Sequence, residues 1–173
     1  DKFLHKSKSL GITTSFDTNF RSNIWSATDA KNAILDVIEY IDILSPSYPD
    51  EVNKIFELNT PLEMIKFGLS KGCKLVVVKC GEDGAYIGDS NKIIYSKAIT
   101  PKGLLDTTGA GDSFLGGFLY SYIKNMNIED NMRYAISSAG LKISGRGGIQ
   151  SQPTKDEVEK YINLVKVKKI TYQ

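Results

Sequence analysis

The chain has 173 residues, 41% of them hydrophobic and 24% charged, a length and balance that suit one domain with a real core. Its 22 Lys and Arg against 20 Asp and Glu leave a formal charge of +2, with no basic stripe interleaved with aromatics, which argues against a nucleic-acid partner. Cys73 and Cys80 stand without a second pair or clustered histidines, which disfavours a zinc site or disulfide framework, and no apolar run approaches the roughly 20 residues of a bilayer span. The expectation is a cytoplasmic protein with inert thiols and no membrane partner.

The chain opens on Asp1 without an initiating Met, and Phe3, Leu4 and Leu10 read as the last turns of an amphipathic helix ending at Gly11. It therefore reads as a piece of something longer. Ile12 to Phe16 has the β-branched character of a strand and stops at the polar segment Asp17 to Arg21. Ser26 or Thr28 can cap a following helix, whose apolar positions Ala30, Ala33, Ile34, Val37, Ile38 and Ile41 recur at helical spacing before a second strand at Ile41 to Leu44. Thr60-Pro61-Leu62-Glu63 combines an N-cap, Pro at the first helical position and Glu at the third, and predicts a helix ending near Gly72.

Leu75 to Val78, bracketed by Lys74 and Lys79, is an apolar run of the kind buried on both faces of a mostly parallel sheet. Gly81 to Gly84 and Asp89 to Asn91 turn the chain around Ala85 to Ile87 and into Lys92 to Tyr95, a pattern of antiparallel strands. From Gly109 the pattern is helical: Phe114 to Ile123, Asn131 to Ile143, and a last helix behind the capping box Thr154 to Glu157, with Lys166, Lys168 and Lys169 at its solvated end. The sum is α/β, with helices on both faces of a mostly parallel sheet that carries an antiparallel edge.

Chemistry concentrates at Asp106-Thr107-Thr108-Gly109-Ala110-Gly111-Asp112, where a loop enters a long helix. Small residues there let unpaired backbone N–H groups approach an anion, and the helix dipole adds partial positive charge. Asp112 at the same helix end suits a general base for a hydroxyl nucleophile; taken alone, the segment is equally a glycine-rich turn with an acidic helix start.

With Ser113-Phe114 and Gly116-Gly117-Phe118 following, this segment resembles the second signature of the ribokinase-like, or PfkB, carbohydrate kinases. The resemblance implies a three-layer α/β/α ribokinase-like fold of which residues 1–173 form the C-terminal, nucleotide-binding and catalytic portion, with the N-terminal half and its lid absent. It implies an anion hole of Gly109, Ala110 and Gly111, with Asp112 as catalytic base. Asp17-Thr18-Asn19-Phe20-Arg21, with Trp25 four residues on, resembles the Asp-x-Asn-x-Arg-x-x-x-Trp segment of 2-keto-3-deoxygluconate kinases and some fructokinases. It follows a predicted strand end, where open parallel sheets bind ligands. Asp17, Asn19 and Arg21 are thereby expected at the substrate or phosphate position, Arg21 offering a guanidinium fork and Trp25 packing the loop.

Lys79-Cys80-Gly81-Glu82-Asp83-Gly84 resembles the family's Lys-x-Gly-x-x-Gly turn and implies ATP contacts from Lys79, Gly81 and Gly84, with Thr108 joining them. Where relatives place Asn-x-x-Glu, this chain offers Ser47 and Asp50, making Asp50 the candidate for Mg2+. Arg146-Gly147 is followed by Gly148, where archaeal ketodeoxygluconate kinases carry an acidic substrate contact. The implied function is an ATP- and Mg2+-dependent kinase acting on a primary hydroxyl of a small sugar or sugar acid, 2-keto-3-deoxygluconate first, and homo-oligomeric at full length. A fructokinase or other sugar kinase of the family is the enzymatic alternative, and a noncatalytic nucleotide- or sugar-binding relative is the alternative of another class.

Overall fold

The computed structural model describes residues 2–171. Its elements are α1 (Lys2–Ser9), β1 (Ser15–Asp17), α2 (Ala27–Leu35), β2 (Ile43–Ser45), α3 (Asp50–Lys54), α4 (Pro61–Ser70), β3 (Leu75–Lys79), β4 (Ala85–Gly88), β5 (Ile93–Ser96), α5 (Ala110–Ile123), α6 (Ile128–Lys142), α7 (Lys155–Glu159) and β6 (Lys168–Ile170). The strands form a mixed six-stranded sheet in chain order, β1 to β6. Two compact units divide the chain: the first runs through Gly81 and takes in Tyr86–Ile93, and the second comprises Glu82–Ala85 and continues from Ile94.

In the first unit, β1, β2 and β3 are parallel, with Phe16 beside Leu44 and Leu44 beside Val76. Ile43, Leu44, Val76, Val77 and Val78 are completely buried, as a strand covered on both faces demands. Helix α4 starts where the sequence signals it: the Thr60 side chain accepts the Glu63 amide, and the Glu63 carboxylate reaches back to the Asn59 N–H at 2.7 Å. It lays Met64, Ile65 and Gly68 on the sheet, and Gly68 packs so closely on Val76 that a Cβ there would stand 2.6 Å from a Val76 methyl. Ser26 caps α2. Asp89 closes the turn between β4 and β5, its Oδ1 accepting the amides of Asn91 and Lys92. That connection is far too short for a parallel crossover, so this pair is the antiparallel part of the sheet.

Three expectations shift. The helix predicted to run to Ile41 ends at Leu35, and a separate tight turn at Ile38–Tyr40 buries Ile38. A short helix, α3, follows β2 in a segment for which no element was predicted. The final helix is only α7; after another turn at Ile162–Leu164 the lysine-rich tail becomes strand β6, with Lys168 and Lys169 exposed. Lysines on a strand at the end of the sheet order hinder further edge pairing, so the charges that suggested a solvated helix end suit an edge strand equally.

The second unit is built on the pair α5 and α6. Phe118, Met132 and Ala135 are fully buried between them, and Tyr134, Leu141 and Val158 form a core with Tyr120, Met126, Tyr161 and Ile162 against α7. Close approach depends on Gly117, where a Cβ would lie 2.6 Å from the Tyr134 carbonyl oxygen and 2.8 Å from the Ser138 Cβ. Gly117→Ala gains up to about 1 kcal/mol of helix propensity but overpacks this contact by about 1–3 kcal/mol. With the full propensity gain the expected result is a net loss of up to about 2 kcal/mol in urea unfolding, whereas a stabilised variant would show that the two helices can part.

Candidate active site

The parallel strands of the first unit end side by side, and the chemistry expected of Asp17 and Lys79 begins with each other. The Lys79 ammonium lies 2.6 Å from an Asp17 carboxylate oxygen, with the two side chains only 13% and 20% exposed. Strands spaced about 4.8 Å apart put β1 and β3 within a lysine's reach across the end of β2. Lys79, expected to contact ATP, thus neutralises the residue expected to contact substrate. Beyond this pair the chain bends: Asn19 adopts φ +37° and its amide donates to Asp17 Oδ1 at 3.2 Å, a local turn that asparagine tolerates. Arg21 follows, exposed, and Trp25 is 42% exposed, not the packed anchor expected of it.

The bend is held by Glu51, which sequence reasoning passed over for its neighbour. Glu51 is 5% exposed; its Oε1 accepts the Phe20 amide at 2.6 Å, and its Oε2 accepts the Ser47 amide at 2.6 Å and the Thr18 hydroxyl. Asp50 points the other way, pairing with Lys54 at 3.0 Å on the exposed face of α3. The signal available in sequence was position: β2 ends at Ser45, and Glu51 falls in the first turn of the helix that follows, where a carboxylate can turn back to the strand ends.

In the second unit, Gly109 is the N-cap of α5 at φ +76°, a conformation that glycine adopts without cost. A Cβ there would meet the Gly148 carbonyl oxygen at 3.2 Å. The Ala110 amide is already used, donating to the Thr107 carbonyl at 3.0 Å, whereas the amides of Gly109, Gly111 and Asp112 have no acceptor among the described residues. Among the three residues expected to form an anion hole, Ala110 thus has its amide paired, whereas those of Gly109 and Gly111 are open, as is that of Asp112. Asp112 itself is exposed in the first turn of α5.

Asp106 sets this loop. Its Oδ1 accepts the Thr108 amide at 2.9 Å and its Oδ2 the Gly147 amide at 2.8 Å. The Thr108 and Gly147 donors hold its carboxyl down to about 2, Thr108 foremost. Gly147 and Gly148 thus serve as backing for the loop, the Gly148 carbonyl also accepting the Gln152 side-chain amide at 2.9 Å.

Gly81 sits at φ +57° in the turn after β3. Gly84, at φ +92°, is buried against the backbone of Ser96 to Ala98, with room for no side chain. A groove of about 290 Å³ runs from Asp112 and Gly116 past Tyr120 and Tyr134 to Pro153 and Lys155. Burial and the nearby Asp42 charge push the Cys73 thiol up to about 11, and Cys80 is buried as well, so neither is a nucleophile at neutral pH. No group of three or more potential metal-ligating side chains occurs among the described residues, and no helix among them is long and apolar enough to cross a membrane.

Free amides and an acidic side chain thus open a long helix in an α/β sheet protein, an arrangement suited to an anion. The chain matches the pfkB family carbohydrate kinases over residues 4–155, and it belongs to that family. It is 30% identical to an ATP-dependent 6-phosphofructokinase of Thermoanaerobacterium thermosaccharolyticum over 93% of this chain and 50% of the relative. It is likewise 30% identical to a 2-dehydro-3-deoxygalactonokinase of Haloferax volcanii over 93% and 50%. To a 2-dehydro-3-deoxygluconokinase of Haemophilus influenzae it is 32% identical over 80% and 45%. Among solved structures, an Escherichia coli protein described as a ribokinase II, in complex with ATP and Mg2+, superposes with a TM-score of 0.83 at 29% identity, over 94% of this chain and 52% of that one. The chain spans about half the length of these relatives, and the ribokinase-like fold expected from its motifs stands.

Glu51 binds the bend after β1 through three charge-assisted hydrogen bonds, each worth about 1.5–3 kcal/mol. In Glu51→Gln the Phe20 and Ser47 amides should exchange with solvent at least about 10-fold faster than in the parent protein. Unchanged exchange would mean that the bend holds itself.

Proposed function

We propose that the protein to which this chain belongs transfers the γ-phosphoryl group of ATP to a primary hydroxyl of a sugar acid, with 2-keto-3-deoxygluconate as the acceptor. The observation that carries this reading is the start of α5, where the unsatisfied amides of Gly109, Gly111 and Asp112 share one helix turn with an exposed carboxylate. Such amides suit the charge that develops on a phosphoryl group in transfer, and Asp112 accepts the proton from the attacking hydroxyl. ATP, when bound, supplies the phosphoryl group. The residues present fit its phosphates through backbone donors, since the glycine-rich signature of a Walker loop does not occur in the chain.

The fit to Mg2+ is different in kind. Asp50 pairs with Lys54, Asp17 with Lys79, and Glu51 is saturated by three donors, so none offers a free carboxylate for a protein cage. That agrees with an ion held mainly by water and phosphate oxygens. Asp50 remains the surface carboxylate nearest the sequence expectation. Arg21, exposed beyond the bend after β1, would offer its planar fork to an acceptor carboxylate, and Asn19 and Asp17 would shape that bend. Thr108, Gly81 and Gly84 would serve the nucleotide, the glycines through backbone alone.

A second reading keeps the kinase and changes the acceptor. Gly148 provides no acidic side chain, and a guanidinium fork also suits a phosphorylated sugar. Homologues at similar identity include both a phosphofructokinase and sugar-acid kinases. ADP release by the full-length protein should be fastest with 2-keto-3-deoxygluconate among that sugar acid, fructose, fructose 6-phosphate and ribose; a clear preference for any of the others would replace the acceptor. Asp112→Asn should lower turnover by about 100- to 10,000-fold while ATP still binds by calorimetry. Undiminished turnover would remove Asp112 from the chemistry, and a parent protein that binds ATP yet phosphorylates nothing would favour the noncatalytic relative.

A further inference from the structure

The family resemblance assigns Lys79 to the nucleotide, but in the structure its ammonium is committed elsewhere. Its backbone is pinned beyond the end of β2: the Lys79 amide donates to the Pro46 carbonyl at 3.0 Å, and the Lys79 carbonyl accepts the Tyr48 amide at 2.7 Å. Its side chain then reaches across β2 to an Asp17 oxygen at 2.6 Å, and both side chains are largely buried. A flexible lysine fixed at both ends acts as a strut. Pairs of this kind gain little net stability once desolvation is counted, so stability alone does not account for it.

Asp17 also leaves a nearer donor unused. Ser45 is its register partner on β2, so the two side chains stand on the same face of the sheet. The Ser45 hydroxyl is buried without a hydrogen-bond partner among the described residues, an arrangement that is costly by itself. Asp17 instead divides its two oxygens, Oδ2 taking Lys79 and Oδ1 accepting the Asn19 amide at 3.2 Å. Asn19 stands at φ +37°, a conformation that residues other than glycine keep only where their surroundings hold them, and one that gathers at ligand clamps. The next amide, of Phe20, is held by Glu51, and the Arg21 carbonyl accepts the Ile24 amide at 2.9 Å. The exposed Arg21 side chain thus springs from backbone fixed on both sides. On the β1 side the fixing runs from Lys79 through Asp17 to Asn19.

We propose that Lys79 is a positioning residue for the acceptor: through Asp17 it sets the Asn19 turn, and with it the place of the Arg21 guanidinium that meets the acceptor's carboxylate. It does so without touching the nucleotide. The proposal deepens the kinase reading, since it names what aims the acidic-group contact of that site. Its effect on KM rests on that reading. Its effect on the bend does not.

The test uses the full-length protein with Lys79→Met, the nearly isosteric Asp17→Asn as a second variant, Arg21→Met, and the Lys79→Met/Arg21→Met pair. By amide exchange, Asn19 should open about 10-fold or more faster in Lys79→Met and in Asp17→Asn. The Ser47 amide, held by Glu51, should keep its parent rate and so report that the fold is intact. In turnover assays Lys79→Met should raise KM for 2-keto-3-deoxygluconate by about 10- to 100-fold, as misplacing a recognition group does, with KM for ATP unchanged. The pair should lose no more than Arg21→Met alone, because the lysine acts through the arginine. Unchanged exchange at Asn19, additive losses in the pair, or a KM for ATP that rises as far as that for the acceptor would each overturn the proposal. A parent protein inactive towards every acceptor would instead overturn the kinase reading, while exchange at Asn19 still decides whether Lys79 sets the bend.

Discussion

The loop into α5 in the second unit depends on a single carboxylate. Asp106 joins two backbone segments, accepting Thr108 beside the start of α5 and Gly147, 41 residues on, beyond the end of α6. A helix N-terminus attracts anions only while its first amides stay unpaired and correctly aimed, and a glycine-rich loop is the least able of all sequences to aim itself. Gly109 supplies the left-handed turn that keeps the amides open, and Asp106 supplies the rigidity that the glycines remove. The two needs conflict in one short segment, and a charged clamp at its entrance reconciles them.

The first unit solves a similar problem with different parts. Its strands end in a bend that carries Asn19 and Arg21, and a bend of polar residues has no core to hold it. Glu51 replaces the core: three donors from three places converge on one buried carboxylate. The Asp17–Lys79 pair closes the other side across the end of β2. Partly buried ion pairs contribute little to net stability once desolvation is counted, so the value of this one lies in fixing where the strand ends point. Each unit therefore devotes carboxylates to shaping backbone, in the regions where a family resemblance would assign them to ligands.

What was legible in the sequence followed from local physics. The caps Thr60 and Thr154 read correctly, and Ser26 was one of the two residues offered for α2, because each acts within three residues of itself; β3 read correctly because four consecutive buried residues leave no period to misjudge. The Gly109 turn into α5 was plain for the same reason. Strand β6 was missed because lysines at its exposed positions look alike on an edge strand and on a helix end. Glu51 was missed because burial of a charge is settled by distant chain: the partners of Glu51 include residues 31 and 33 positions away. The contact between Asp17 and Lys79 was missed for that reason too, since it spans 62 residues.

Carboxylates around these loops differ in how firmly each is engaged within its own unit. Asp17 faces a lysine, Asp50 another, Glu51 is saturated, and Asp106 holds two amides and is kept ionised far below neutral pH. A carboxylate so engaged is a poor proton acceptor, since taking the proton would forfeit the bonds that hold it. Asp112 is different: it is exposed, starts a helix, and no hydrogen bond or ion pair ties its side chain among the described residues. A general base must be free to exchange partners as the proton moves, and in this chain the carboxylate that meets that requirement stands one residue from the open amide of Gly111. Within the glycine-rich segment of the second unit, Asp106 is thus committed to backbone amides while Asp112 is left untied.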